Sequence, residues 1–326
     1  MAPTGRTALV TGATGFIGGA LVPALRARGL RVVAASRRPR AGPLEGEAVQ
    51  WRVCDLLDPR TLPAALEGVD VVYYLVHSMG GGRSDFRKLE RRAATGLASA
   101  AADAGVERIV YLGGPAPRGP PSEHLQSRLQ VGEILRGRAR TIELRASMVV
   151  GPGSASWRIV RDLAMRLPFM VLPTWLRSRT CPVALEDAIA ALAAAADVPL
   201  EASTWFDLPG PETLTGWQLL ERIAAIKGRR IRAVHVPLLT PRLSALWLRL
   251  VTRTDYSLAR ELALGLREDL LPADARYWRL IGRDRLVPFD EAARRALEGE
   301  VRGREAWERL ARLEERLVGL VAARAP

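Results

Sequence analysis

Through the first 150 residues, short apolar runs bounded by Gly, Pro or Asp alternate with longer stretches in which apolar residues recur every three to four positions. The runs predict strands at Thr7–Val10, Arg31–Ala35, Val49–Val53, Val71–Val76, Arg108–Leu112 and Thr141–Arg145. Between them the longer period predicts helices, notably Phe86–Ala104 and Leu125–Leu135. Such alternation implies an α/β fold with a doubly wound parallel sheet, covered on both faces, whose ligands bind beyond the carboxyl ends of the strands. The loops to search are Asp55-Leu56, the run from His77 to Gly82, Gly113-Gly114 and Ala146-Ser147.

After Gly151-Pro152-Gly153 the pattern changes. Trp157–Leu167 reads as an amphipathic helix and Phe169–Trp175 as an apolar run. Thr180–Val183 and Glu186–Ala196 read as a strand and helix returning to the sheet. Trp205–Leu208, the break at Pro209-Gly210-Pro211, a helix at Leu214–Ile226 and a strand at Ile231–Val236 are expected to form a smaller α/β lobe. Pro237–Val251 is apolar and punctuated by proline, a candidate protein or peripheral membrane contact. Arg304–Ala323 carries Trp307, Leu310, Leu313, Leu317 and Leu320 on one helical stripe, too short for a coiled coil and so expected to dock on the chain's own body. The expected organisation is a dinucleotide-binding body (1–150 with 180–197), a substrate or partner lobe (151–179 and 198–282) and a helical tail (283–326).

The chemistry enters at the end of the first strand. Thr11-Gly12-Ala13-Thr14-Gly15-Phe16-Ile17-Gly18 follows an apolar run and opens a helical pattern. Glycines 12, 15 and 18 suit a tight turn, close approach of backbone amides to a pyrophosphate, and close packing of the helix. The helix N-terminus then offers unsatisfied N–H groups to the anion. Strand before and helix after are the context this glycine spacing requires of a dinucleotide-binding Rossmann turn. The second strand ends in Ser36-Arg37-Arg38 and lacks the carboxylate that would accept from a ribose 2′-hydroxyl. A guanidinium there can hold a 2′-phosphate, so NADP(H) is favoured over NAD(H).

Composition narrows the alternatives. The formal net charge of +13 invites a polyanion partner, but the arginines are scattered, Lys88 and Lys227 are the only lysines, and no nucleic-acid-binding motif is present, so nucleic acid is not expected. No stretch has the apolar length of a membrane span, and the first strand starts too early for a signal peptide to precede it, which suggests a cytoplasmic protein. Cys54 and Cys181 have no metal spacing and are expected to be buried thiols; no metal site is expected.

The glycine turn, Cys54-Asp55-Leu56-Leu57-Asp58, the segment Gly68 to Met79, Gly105 to Gly114 and Pro182 to Asp187 resemble landmarks of the extended and atypical short-chain dehydrogenases/reductases over nearly the whole chain. Tyr74-Leu75-Val76-His77-Ser78-Met79 and the segment His124 to Leu135 resemble a bacterial NAD(P)H-binding subgroup similar to NmrA-like proteins and to the 39-kDa-type subunit of respiratory complex I. The resemblance implies that Asp55 holds the adenine amino group, that Leu56 packs near the base, and that Leu75, Val76 and His77 pass under the adenosine ribose. Asp55 could equally be a turn former, and His77 could make a structural bond.

That superfamily's Tyr-x-x-x-Lys pair, in which the lysine lowers the phenol's pKa and holds the nicotinamide ribose, is absent: Ser84 and Ile223 stand four residues before the two lysines. Where the resemblance places the pair stand His124 and Arg128. Arg128 could serve as the fixed cation on the ribose hydroxyls, and His124 could act as acid or base, or cap the helix that follows. The serine or threonine usual after the fifth strand is replaced by Gly113-Gly114-Pro115. Three readings stay open: an NADP(H)-dependent reductase of a hydrophobic quinone or carbonyl compound, with a cleft built from Met79, Met148, Trp157 and Phe169–Trp175; a non-catalytic redox sensor or assembly subunit; and a sugar-nucleotide epimerase.

Overall fold

The computed structural model describes residues 5–44, 49–76, 86–117, 119–166, 169–172, 174–235 and 268–301; of 166, 169–172, 174–175 and 232–235 it describes the backbone alone. Seven parallel strands make the large sheet in the order β3-β2-β1-β4-β5-β6-β11: β1 Thr7–Val10, β2 Arg31–Ser36, β3 Gln50–Val53, β4 Val71–Tyr74, β5 Arg108–Gly113, β6 Thr141–Arg145 and β11 Thr204–Asp207. The strand order reverses between β1 and β4, the point where such sheets open a ligand crevice. Six of these strands lie where the hydrophobic runs predict them, within two residues at either end.

The two-residue period sorts the strands' side chains onto two faces. Ala8, Val10, Val32, Ala34, Val71 and Tyr73 pack on one side with α1 (Phe16–Ala27) and α6 (Leu185–Ala194). Leu9, Val33, Val72, Tyr74 and Ile109 pack on the other with α2 (Leu62–Leu66), α3 (Phe86–Asp103) and α4 (Glu123–Arg138). A buried charge interrupts the second layer. Glu143 of β6 is fully buried, accepts from Arg145 Nε at 2.9 Å and pairs with Arg136 of α4. A Cβ at Gly113 would stand 2.7 Å from its Oε1, so Gly113 makes room for this carboxylate.

The structure corrects two readings of the second half. Trp205–Leu208, expected in the smaller lobe, supplies β11, which pairs in parallel with β6. Its pattern marks a half-buried strand without naming its neighbour; Arg145 stacking 4.2 Å above the Trp205 ring and Tyr277 5.0 Å from Phe206 fix it at the sheet edge. Thr180–Val183 is not one strand returning to the large sheet. Pro182, with no N–H to donate, splits it into β9 (Arg179–Thr180) and β10 (Val183–Ala184). β9 pairs antiparallel with β12 (Leu214–Thr215) and β10 pairs in parallel with β7 (Val149–Val150). Further along, β13 (Arg232–His235) pairs in parallel with β8 (Phe169–Leu172).

A separate apolar cluster joins α5 (Ala155–Arg166), α7 (Gly216–Ile226) and α9 (helical over 289–301) through Trp157, Leu163, Leu219, Ile223, Phe289 and Ala293. Thr215 and Gln218 form a reciprocal capping box that starts α7. α9 is tied down by polar contacts: Arg222 reaches Asp290 and Glu212, Glu212 Oε2 accepts from Phe289 N at 2.8 Å, and Glu300 accepts from Trp157 Nε1 at 3.2 Å. The loop before it hangs on Asp187, fully buried at the start of α6, which accepts from Arg283 Nε and from Val287 N, each at 2.8 Å. The short α8 (Arg276–Leu280) buries Tyr277 and Trp278 against the α6 side of the sheet. Pro237–Val251 and Arg304–Ala323 lie outside the described residues, and among the described ones no helix is long and apolar enough to cross a membrane.

Candidate functional site

The glycine turn stands at the strand-order reversal. Gly12 has φ +68°, and a Cβ there would meet the Leu75 carbonyl oxygen at 3.0 Å. Only glycine takes that conformation at so close an approach without cost. A Cβ at Gly18 would collide with the Gly12 carbonyl and stand 2.7 Å from Ala13 Cα, so Gly18 lets α1 close directly onto the turn. Gly15 donates to Gly12 O at 2.9 Å and is the N-cap of α1, where no side chain caps the helix and no carboxylate occupies the first turn. Thr14 and Gly15 are exposed, and Phe16 and Ile17 are half-buried. These features fit a pyrophosphate at the free N–H groups of α1.

The sequence reading did not single out Thr11, which is buried. Its hydroxyl donates to Tyr73 O at 3.0 Å and accepts from Leu75 N at 3.1 Å, stitching the turn to the end of β4. A threonine immediately before the first glycine was the available signal.

At the end of β2, Ser36 is half-buried and its hydroxyl accepts from Arg38 N at 3.4 Å. Arg37 and Arg38 are exposed, and among the described residues neither guanidinium has an acidic partner. Arg40 is committed to the Trp51 ring, 5.1 Å away. Beyond β3, Asp55 is half-buried and its Oδ1 accepts from Leu57 N at 3.0 Å, the bond of a turn former. Leu56 is 7% exposed and packs into the sheet's core with Leu62 rather than into the cavity described next.

A cavity of about 430 Å³ starts at Gly12, Gly15 and Gly18, passes the ends of β4 and β5 at Leu75, Val76 and Gly114, and continues between α4, α5 and α7. His124 and Arg128 line its middle. Ser122, not His124, caps α4, its hydroxyl accepting from Leu125 N at 3.3 Å, so His124 is not needed to start the helix. Arg128 is held at the end of β5: Nη2 donates to Leu112 O at 2.7 Å, while Nε, which lies over Gly114, is buried with no partner among the described residues. His77 lies outside the described residues.

Tyr74 and Tyr111 also line the cavity, edge to face with ring centroids 5.7 Å apart. Burial raises the pKa of both, that of Tyr111 to about 12, and the Tyr111 hydroxyl donates to Arg128 O at 3.1 Å. Neither is a phenol prepared to give up its proton near neutrality.

Past His124 the cavity becomes an apolar chamber. Met148 lines it as expected, whereas Trp157 is fully buried in the cluster behind it, its indole N–H engaged by Glu300. The helical period of α5 turns Ile159, Val160 and Leu163 to the chamber and Trp157 away from it. Leu176, Leu219 and Leu220 complete the wall; the sequence reading missed them because they belong to other elements. Met79 and the side chains of Phe169–Trp175 lie outside the description.

Residues 12–161 match the NAD(P)H-binding family. A sterol demethylase protein B of Methylococcus capsulatus is 39% identical over 127 residues, 36% of this chain and 39% of that protein. The NAD(P)H azoreductase of Xenophilus azovorans is 27% identical over 258 residues, 71% of this chain and 77% of its own. Among solved structures, the triphenylmethane reductase of Citrobacter sp. superposes with a TM-score of 0.70 at 20% identity, over 90% of this chain and 99% of that one. Residues 12–161 are thus similar to an NAD(P)H-binding domain, and the chain shares the fold of the triphenylmethane reductase.

Proposed function

We propose that the chain is an NADP(H)-dependent reductase of a bulky hydrophobic carbonyl or quinone compound that works without the Tyr-Lys pair. The observation that carries this reading is the single cavity that runs from the glycine turn past Arg128 and His124 into an apolar chamber. Sites of that volume, with few polar groups on apolar walls, suit small apolar ligands. The reductases among the relatives, one of azo compounds and one of triphenylmethane dyes, support it.

In this reading the glycine turn holds the pyrophosphate, Arg37 and Arg38 hold a 2′-phosphate, and Ser36 lies beside them. The free oxygen of Asp55 accepts from the adenine amino group, and Leu75 and Val76 lie beneath the ribose. A nicotinamide dinucleotide held by these residues would supply the hydride for the substrate's carbonyl carbon. Arg128, fixed by Leu112 O, offers its remaining N–H donors to the nicotinamide ribose, its charge unchanged at any working pH. His124 gives a proton to the substrate oxygen.

Calorimetric titration with NADPH, NADP⁺ and NADH, followed by assay of NADPH oxidation with hydrophobic quinones and aldehydes, tests the reading. Micromolar NADPH binding with turnover lost in His124→Ala supports it, and turnover unchanged in that variant removes His124 from the mechanism. The raised pKa of Tyr111 and its bond to Arg128 O favour one rival, a cofactor-binding sensor without chemistry. That rival gives the same titration and no turnover with any acceptor.

A further inference from the structure

The chamber is polar at one end and apolar at the other. At Gly151 and Gly153, just before α5, an added Cβ would stand 3.1 and 3.5 Å from the Phe16 ring, which places the start of α5 against the glycine turn. The next residues, Ser154 and Ser156, line the cavity, and their hydroxyls lie 3.2 Å apart. Ser154 is 4% exposed. One hydroxyl donates to the other, which leaves the pair with one O–H proton still to place. Ser147 spends its proton on Cys181 O at 3.1 Å, Ser122 accepts from Leu125 N and Ser154 accepts from Trp157 N at 3.4 Å, so among the described residues Ser156 makes no side-chain bond outside the pair. From Ser156 onward α5 offers Ile159, Val160 and Leu163, and Leu219 and Leu220 of α7 face them across the chamber, with Thr180 the one hydroxyl-bearing neighbour.

We infer that the chamber takes a single-headed amphiphile, its one oxygen held in the polar part of the cavity that His124 and the Ser154–Ser156 pair line and its aliphatic or alicyclic body lying between α5 and α7. A second polar group along the molecule would face leucine and isoleucine, and among the described walls Thr180 is the one side-chain hydroxyl there to offset the cost. The inference deepens the reductase reading in naming the substrate class, and rests on it only for which end reacts.

The test is equilibrium binding of straight-chain aldehydes of increasing length, and of the matching alkanes, to the purified full chain loaded with NADP⁺, so that no turnover intervenes. Aldehyde affinity rises roughly fourfold per added methylene until the chamber is full. Ser156→Ala weakens the aldehydes by about fivefold and leaves the alkanes where they were. Val160→Phe shortens the longest chain accommodated, an outcome independent of the serine variant.

Affinity that does not change with chain length, or a Ser156→Ala loss equal for aldehyde and alkane, overturns the proposal. Length-dependent binding without NADPH oxidation leaves the proposal standing and sinks the reductase reading. Turnover of short polar carbonyls without length dependence does the reverse.

Discussion

The two ends of the cavity are built from different parts of the polypeptide. At the glycine turn the working surface is backbone: three glycines in seven residues, a threonine that ties them to β4, and an uncapped helix end. In the chamber it is side chains from α5, α7 and the segments around Met148 and Leu176, backed by α9 from the far end of the described chain. Backbone geometry is local and reads directly from residue type, because only glycine satisfies it. A chamber wall is assembled by tertiary packing, so its chemistry can change while the turn stays fixed. The same fold can then serve many substrates.

A valine at the turn's most restricted glycine and a truncated core leucine in the chamber separate the two. Gly18→Val forces branched atoms into the Gly12 carbonyl and Ala13 Cα, backbone that cannot move aside cheaply. NADPH affinity should fall on the order of a hundredfold, as overpacking of a few kcal/mol implies. Leu219→Ala, at a site 1% exposed, should lower unfolding stability by about 2–5 kcal/mol while NADPH affinity stays within about twofold. Titration calorimetry and denaturant unfolding on both variants read the contrast. If Leu219→Ala weakens NADPH as much as Gly18→Val does, the two regions are not independent.

Asp187 is where the regions meet. Its carboxylate, fully buried at the start of α6, holds Arg283 and Val287 N and so anchors the segment leading into α9. Removing one partner of a buried pair costs about 3–5 kcal/mol, and Arg283, a third exposed, recovers some of that from water. Asp187→Ala should therefore cost roughly 3 kcal/mol by denaturant unfolding and loosen α9 in hydrogen exchange before the sheet. Equal loss of protection in β1 and α9 would show a single cooperative unit.

The dinucleotide end allows a smaller and more selective change. Arg37→Ala removes an exposed guanidinium without altering the turn, so NADPH affinity should drop about tenfold with NADH affinity unchanged. Equal losses for both cofactors would mean that Arg37 acts through the turn and not on a 2′-phosphate.

The first half of the molecule was legible because its signals are short-range. β1 and β6 have the predicted bounds, and β2, β4 and β5 fall within two residues of theirs, since each is a short apolar run whose own residues mark it as strand. Where a segment packs was not legible. β11 reads as a strand from its own residues, yet nothing within Thr204–Asp207 says that its partner is β6, sixty residues earlier. The helical tail expected over 283–326 contains α9, but its buried face was not marked, because between Phe289 and Leu297 that face is Ala292, Ala293 and Ala296, small residues that a hydrophobic-period search passes over. Glu143 reads as an outward-facing polar residue of a strand. Gly113 and Arg145, each unremarkable alone, are what allow it to be buried. At the candidate site, His124 and Arg128 were found by position against the missing Tyr-Lys pair. Thr11 and the leucines of α7 were not, because one is a hydrogen-bond stitch and the others belong to an element read as a separate lobe.

The tyrosines are tested by pH, and the result bears on whether a phenol takes any part at the cofactor end. Tyr73, Tyr74 and Tyr111 lie in neighbouring strands, and burial raises the pKa of all three, that of Tyr111 to about 12. In the unfolded chain each ionises near pH 10. Below that both states keep the proton and stability is unaffected by these groups. Above it the unfolded state gains by ionising and the folded state does not, so each buried tyrosine removes about 1.4 kcal/mol of stability per pH unit until its folded pKa is reached. Tyrosinate absorbance should therefore lag behind pH 10 and then rise together with loss of the native circular dichroism between about pH 10 and 12. More than one tyrosinate per chain near pH 10 with the native circular dichroism intact would show a phenol more open to solvent than Tyr111 is here, Tyr256 lying outside the described residues. The same energetics constrain the reaction: the tyrosines stay protonated through the neutral range, so turnover that needs a proton donor should be lost in His124→Gln, and turnover that survives the variant would remove His124 as that donor.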